Sequence, residues 1–238
     1  MMSYLLTIGL IGLLIFVHEL GHLLAAKWVG IPVERFSLGF GPVLWKRRYG
    51  GVEYCLSAVP LGGYVMPQIE DEAAFFAIPV RKRIIFWLGG PAANFLSAAI
   101  LLAAVNTLVD GATLRGLFLE PWIKTASLTG QLLAVIPMLF MEPDKLSGVV
   151  GIVAAGKEVM SDGVLSTLRF AILLNLNLAV FNLLPIAPLD GGKIFCALLE
   201  KIHPRLAKLH TGLAVVGFVL LLALMLYTTV LDVARQIV

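Results

Sequence analysis

Residues 4–29 read YLLTIGLIGLLIFVHELGHLLAAKWV, one apolar stretch with His18, Glu19 and His22 set inside it. About 20 predominantly apolar residues cross a bilayer as a helix, so this stretch is long enough to span. On a helix, H-E-x-x-H puts its two imidazoles at i and i+4, one turn apart on one face, where both rings reach a single metal ion. Glu19 stands beside the first ring, placed to take a proton from an attacking water. Ionisable side chains inside a span cost roughly 2.5–3.5 kcal/mol each on insertion scales and are functional by default. A chance pattern with a buried, hydrogen-bonded His is the competing reading, and the membrane setting makes that accident rare. The chemistry is therefore expected inside a membrane.

The composition agrees. Of 238 residues 59% are hydrophobic and 14% charged, where a soluble domain carries about 25% charged residues. The mean hydropathy is +0.94. The net charge of +3 is spread through loops without a basic, aromatic-interleaved surface, which excludes nucleic acid as a partner. Cys55 and Cys196 form no CxxC and read as small buried hydrophobes. MMSYLL carries no basic residue ahead of the apolar run and no clear cleavage site follows, so the first span is expected to be retained.

Four stretches are long and apolar enough to span, at about 4–29, 84–109, 164–184 and 211–231. A fifth, Leu128–Met141, is short and holds Pro137, and reads as an interfacial or partly embedded helix. Residues 33–66 alternate apolar and polar side chains between the turn signals GFGP, YGG and PLGGY. The expected fold is a mainly α membrane protein. It has about four transmembrane helices, a membrane-associated β-hairpin region between the first and second, and a single domain over 1–238. Basic residues crowd Lys27–Arg83 and Lys193–Lys208. Those loops therefore face the cytosol and both termini are extracytoplasmic, in a multi-pass protein of the cell (inner) membrane. Arg81-Lys82-Arg83 reads as an interfacial anchor, and His203 and His210 as solvated or snorkelling.

A catalytic zinc site takes three protein ligands, so two histidines leave one to be found. The candidate is Asp190 in FNLLPIAPLDGGKIF, residues 181–195. Pro185 and Pro188 break a helix there, and Gly191–Gly192 permit close backbone approach. A carboxylate on such a break can turn towards a metal; a solvated Asp at a helix exit fits the spacing equally well.

HELGH, the GGPAAN at 89–94, the NLLPIAPLDGG at 182–192, the RFSLGFGP at 35–42 and the PLGGYV at 60–65 together resemble the site-2 protease family of intramembrane metalloproteases. The last two resemble its bacterial branch, which includes the regulator of sigma-E protease. The resemblance covers about 10–110 and 145–232. It implies Zn2+ held by His18, His22 and Asp190, with Glu19 as general base. It implies hydrolysis of a peptide bond in or near a transmembrane helix. The partners would be single-span membrane proteins such as anti-sigma factors, or signal-peptide remnants, within a lipid bilayer.

Asn177 and Asn182 match two asparagines near the substrate in the family's third span. They would hydrogen-bond an unwound substrate backbone or the oxyanion, with interhelical hydrogen bonding as the alternative. Asn94, on the same substrate side, follows a break expected at Gly90–Pro91 and reads as packing or positioning water. An exposed edge of the β segment could pair with an extended substrate. Two departures stand out. Only about fifty residues, Asp110–Gly163, separate the second and third spans, too few for a PDZ domain, and the family's proline pattern is shifted to Ala187 and Pro188. A metal transporter would need ligands strung along a path, and an idle scaffold a damaged ligand set. The oligomeric state is left open.

Overall fold

The computed structural model describes residues 2–69, 72–141, 147–203 and 209–237. Helix α1, Met2–Val29, is uninterrupted and takes in the whole HELGH motif. It stops at Gly30, whose φ of +71° suits a residue without Cβ. The amide of Ile31 donates to the carbonyl of Ala26 at 2.9 Å and that of Gly30 to Lys27 at 3.3 Å, the paired closure of a Schellman motif.

Strands β1, Val33–Tyr49, and β2, Val52–Pro67, follow as an antiparallel pair. Gly50 and Gly51 form the two-residue turn, at φ +57° and +84°. Positive φ at both positions is the type I′ geometry, which adjacent glycines adopt without strain, as the turn signal YGG implies. Both strands fold back on themselves. Residues 33–38 pair on one side with 63–67, from Val33 opposite Pro67 to Leu38 opposite Gly63, and on the other with 53–56. Segment 63–67 therefore has strand partners on one side alone among the described residues, and forms an edge.

The remaining elements are all helical: α2 Glu72–Ala77, α3 Val80–Asp110, α4 Leu114–Phe118, α5 Glu120–Met141, α6 Val149–Ser161, α7 Val164–Asn182, α8 Asp190–Ile202 and α9 Leu209–Ile237. Among the described residues four helices are long and apolar enough to cross a membrane, α1, α3, α7 and residues 212–235 of α9. Val215, Val216, Phe218, Val219 and Leu220 of α9 are each more than half exposed, a surface suited to lipid and not to water.

Several boundaries differ from the expectation. The second span begins at Val80 and absorbs Pro91 inside a continuous helix, so Gly90–Pro91 is not a break. The expected 128–141 piece is the second half of a longer helix beginning at Glu120, with Pro137 inside it. The third span ends at Asn182, short of 184, because Pro185 disfavours helical backbone before it. Helix α6 went unread in the sequence.

The chain divides into two compact units. One comprises 11–94 and 181–215. Its core gathers Leu23, Ala26, Val33, Phe36, Phe86, Trp87 and Ala197. Arg83 lies in this unit wholly buried, against the interfacial reading. Its guanidinium donates to both carboxylate oxygens of Glu200 on α8 at 2.6 and 2.8 Å and to the carbonyl of Ile78 at 3.0 Å. The rings of Phe75 and Phe76 lie 5.5 and 5.2 Å from it.

The other unit comprises 1–10, 95–180 and 216–238, around Ala98, Leu102, Val105, Ile172 and Leu176. There Asn106 donates to the carbonyl of Gly116 and accepts from Lys124, at 2.9 and 2.6 Å. Helix α6 has no side-chain cap from its own Gly148. Asp232 of α9 supplies one instead, accepting from the amide of Gly151 at 2.7 Å.

Candidate metal centre

The centre forms where α1 meets α3 without side chains between them. A Cβ on Gly21 would strike the carbonyl of Gly89, and a Cβ on Gly89 would strike that of Gly21. Glycine at both positions lets the two backbones touch. One residue on, a Cβ at Gly90 would fall against His22 Nε2 and 2.6 Å from His18 Nε2. GGPAAN is therefore a glycine face that makes room for two imidazoles.

The helical spacing does what the motif promises. His18 and His22 lie edge to face, ring centroids 4.8 Å apart, with their Nε2 atoms 3.2 Å apart. Asp190 brings its Oδ2 to 3.2 Å from His18 Nε2 and 3.1 Å from His22 Nε2. The carboxylate comes from the first residue of α8, after the turn through Pro185–Leu189. Gly191 and Gly192 sit against the carbonyl of Leu183 and the amide of Ala187, so neither could carry a Cβ. The glycines thus fold the turn tightly enough to aim Asp190 inward.

Burial would raise the Asp190 carboxyl. Hydrogen bonding from both imidazoles and the charge of Lys193 outweigh it and hold the group well below the ordinary carboxylate range. Lys193 Nζ stands 3.4 Å from Asp190 Oδ1. His18, His22 and Asp190 are all buried, at 5–6% exposure. Two imidazole nitrogens and an anionic oxygen converge in a buried site, which is the donor set and arrangement a divalent cation satisfies; the residues fit zinc.

The outer hydrogen bonds of the two rings differ. His22 Nδ1 donates to the carbonyl of Phe86 at 2.8 Å, which fixes its tautomer and turns Nε2 to the centre. His18 Nδ1 is buried and has no partner among the described residues.

A cavity of about 220 Å³ opens on the centre, lined by His18, Glu19, His22, Gly63, Tyr64, Val65, Asn182, Pro188 and Lys193 among others. Glu19 is 8% exposed and adjoins the three ligand residues. A Cβ on Gly63 would come 2.7 Å from Glu19 Cγ, so glycine there brings the edge segment up against the carboxylate.

The asparagines separate. Asn182 lines the cavity. Asn177 belongs to the other unit, with its amide donating back to the carbonyl of Leu173 at 3.0 Å. Asn94 is wholly buried and both its amide atoms lack a partner among the described residues. Sequence reasoning missed Lys193, whose signal was its place three residues after Asp190. It also missed Gly63 and Tyr64, which only the sheet register brings to the cavity.

The profile of peptidase family M50 matches residues 6–224. A Fusobacterium nucleatum protein named as a zinc metalloprotease is 27% identical over 338 aligned positions, covering 98% of each chain. The regulator of sigma E protease of Haemophilus influenzae is 42% identical over 112 residues, 41% of this chain and 25% of its own. A Chlamydia pneumoniae protein named as a zinc metalloprotease is 41% identical over 107 residues, 38% of this chain and 17% of its own. The matched region thus spans a quarter or less of the last two relatives. With a profile match over nearly its full length, membrane-length helices and a His-His-Asp group suited to zinc, this multi-pass membrane protein belongs to peptidase family M50, the site-2 protease family of zinc metalloproteases.

Proposed function

We propose that the chain hydrolyses a peptide bond in or beside a transmembrane helix of a membrane-anchored substrate, with zinc held by His18, His22 and Asp190. The observation that carries this reading is the convergence of those three buried ligand atoms, all within 3.2 Å, on a cavity that also holds Glu19 and a strand edge. Zinc there supplies Lewis acidity, polarising a carbonyl and lowering the pKa of water towards about 7.

Glu19 is the general base. It takes the proton from the attacking water and returns it to the leaving amine. Its burial beside the ligands keeps bulk water from competing for that proton.

A helical substrate cannot present its carbonyls, because they are already hydrogen-bonded and enclosed. Once unwound, it needs new partners, since unsatisfied backbone in an apolar setting costs several kcal/mol per group. Segment 63–66 supplies them as an edge beside Glu19, and the Asn182 amide adds a side-chain partner in the same cavity. Asn177, being outside that lining, fits interhelical or back-bonding better than substrate contact. Regulators such as anti-sigma factors, or signal-peptide remnants, are the substrate class. The name of the Haemophilus influenzae relative supports the former. The basic loops support a cytosol-facing centre with both termini extracytoplasmic in the cell membrane.

The test is cleavage of a tagged single-span substrate co-expressed with wild type or Glu19→Gln. Product with wild type and none with Glu19→Gln is expected. Equal product in both would overturn the general-base assignment.

A further inference from the structure

Three residues in the compact unit around the centre have buried polar atoms without a partner among the described residues, namely Arg83 at Nη1, His18 and Asn94, and the last two stand on the facing helices α1 and α3. The first of this pair is His18 Nδ1. Its Nε2 faces His22 Nε2 and Asp190 Oδ2, so with that nitrogen turned to a metal the ring proton sits on Nδ1. The second is the amide of Asn94, 0% exposed and unpaired at both Oδ1 and Nδ2. Buried polar groups are nearly always hydrogen-bonded, so two orphans on facing helices call for a shared explanation.

The register follows from the close contacts. Gly21 of α1 meets Gly89 and Ala93 of α3, while Gly89 meets Gly21 and Ala25, so the helices run antiparallel. His22 lies opposite Phe86 and Gly90, its Nδ1 bonded to the Phe86 carbonyl and 3.3 Å from the Gly90 amide. Moving one turn back along α1 and one turn on along α3 takes His22 to His18 and Gly90 to Asn94. Asn94 thus stands to His18 as Gly90 stands to His22. At His22 the acceptor is the carbonyl of Phe86, one turn before Gly90; the corresponding carbonyl for His18, that of Gly90, makes no such bond. At His18 the sequence supplies an amide side chain.

We propose that Asn94 is the positioning residue for His18, its amide oxygen holding the Nδ1 proton through one bridging water. A polar contact beyond direct reach between two buried groups is what a single ordered water closes. This fixes the His18 tautomer and ring orientation as the Phe86 carbonyl fixes those of His22. Outer partners of metal-bound imidazoles do this generally, and losing one typically costs 10–100-fold in metal affinity. The inference rests on His18 being a metal ligand.

The experiment compares zinc affinity by chelator competition, the visible spectrum of the cobalt(II)-loaded protein, and unfolding of the metal-free protein in detergent. It uses wild type, Asn94→Leu, Asn94→Asp and His18→Ala. Wild type binding one zinc per chain, lost in His18→Ala, tests the ligand reading; wild type binding no zinc would overturn that reading and this one with it. Given binding, Asn94→Leu should lose about 10–100-fold in affinity and shift the cobalt spectrum. Unfolding of its metal-free form separates the two roles: a loss of zinc affinity larger than any loss of stability places the effect at the metal centre and not in general packing. Asn94→Asp, which keeps an acceptor oxygen, should bind as tightly as wild type or more so. Asn94→Leu binding zinc within twofold of wild type would overturn the proposal while leaving the ligand reading intact. So would Asn94→Asp falling in affinity as far as Asn94→Leu. Should Asn94→Leu not fold, Asn94→Asp decides: wild-type or tighter binding supports the proposal, and tenfold weaker binding overturns it.

Discussion

Replacing Gly90 by Ala tests whether this glycine serves the metal site, because helix propensity favours the replacement and the two imidazoles oppose it. Gly90 lies inside α3, where Ala is favoured over Gly by about 1 kcal/mol. On propensity alone the variant is more stable. The added methyl, however, would stand 2.6 Å from His18 Nε2 and 2.7 Å from His18 Cε1, and closer still to His22 Nε2. Carbon normally approaches such atoms no nearer than about 3.5 Å. Both rings must therefore retreat, His18 by about 0.9 Å and His22 by slightly more. The α3 backbone cannot retreat for them, since Gly89 already rests on Gly21.

Metal–ligand distances tolerate only about 0.2 Å, so the displaced set should lose at least about 100-fold in zinc affinity, or about 2.7 kcal/mol. Chelator competition measures the affinity and thermal unfolding of the metal-free protein measures stability. Gly12→Ala is the control, because nothing lies within 4 Å of its Cβ position in α1. It should leave zinc affinity unchanged. Wild-type zinc affinity in Gly90→Ala would refute the argument that this glycine exists to admit the imidazoles.

Glu19→Gln should lower cleavage by about 10²–10⁴-fold while zinc affinity stays within a few-fold of wild type, read by substrate cleavage and metal titration on the same preparation. Arg83→Met strands Glu200 and should destabilise the protein by about 3–5 kcal/mol; adding Glu200→Leu should recover much of that loss in thermal unfolding. Asp232→Ala removes the cap on α6 and should cost about 1 kcal/mol in the same assay, with zinc affinity unchanged.

Much of the centre was legible because its determinants are local. The i, i+4 spacing of His18 and His22 needs only a helix, and a long apolar run guarantees one. The YGG turn follows from positive φ at two adjacent glycines, and the four spans from length and hydropathy. Asp190 was different: spacing left it between ligand and solvated turn, and family resemblance favoured the ligand. The burial and geometry around the Pro185–Leu189 turn are what bring its oxygen within 3.2 Å of both rings.

Other features depend on partners distant in the chain. Arg83 reads as a surface cation beside Arg81 and Lys82 until Glu200, more than a hundred residues away, is known to meet it. Pro91 reads as a break in the sequence, yet α3 continues through it. The edge at 63–67 emerges only when 33–38 is found to take strands on both sides. Periodicity, apolar length and backbone preference act within a few residues and so are written along the chain. The approach of Asp190 to both histidines, the strand edge beside Glu19 and the register of α3 on α1 arise from contacts between segments, which chain folding creates and no local pattern encodes.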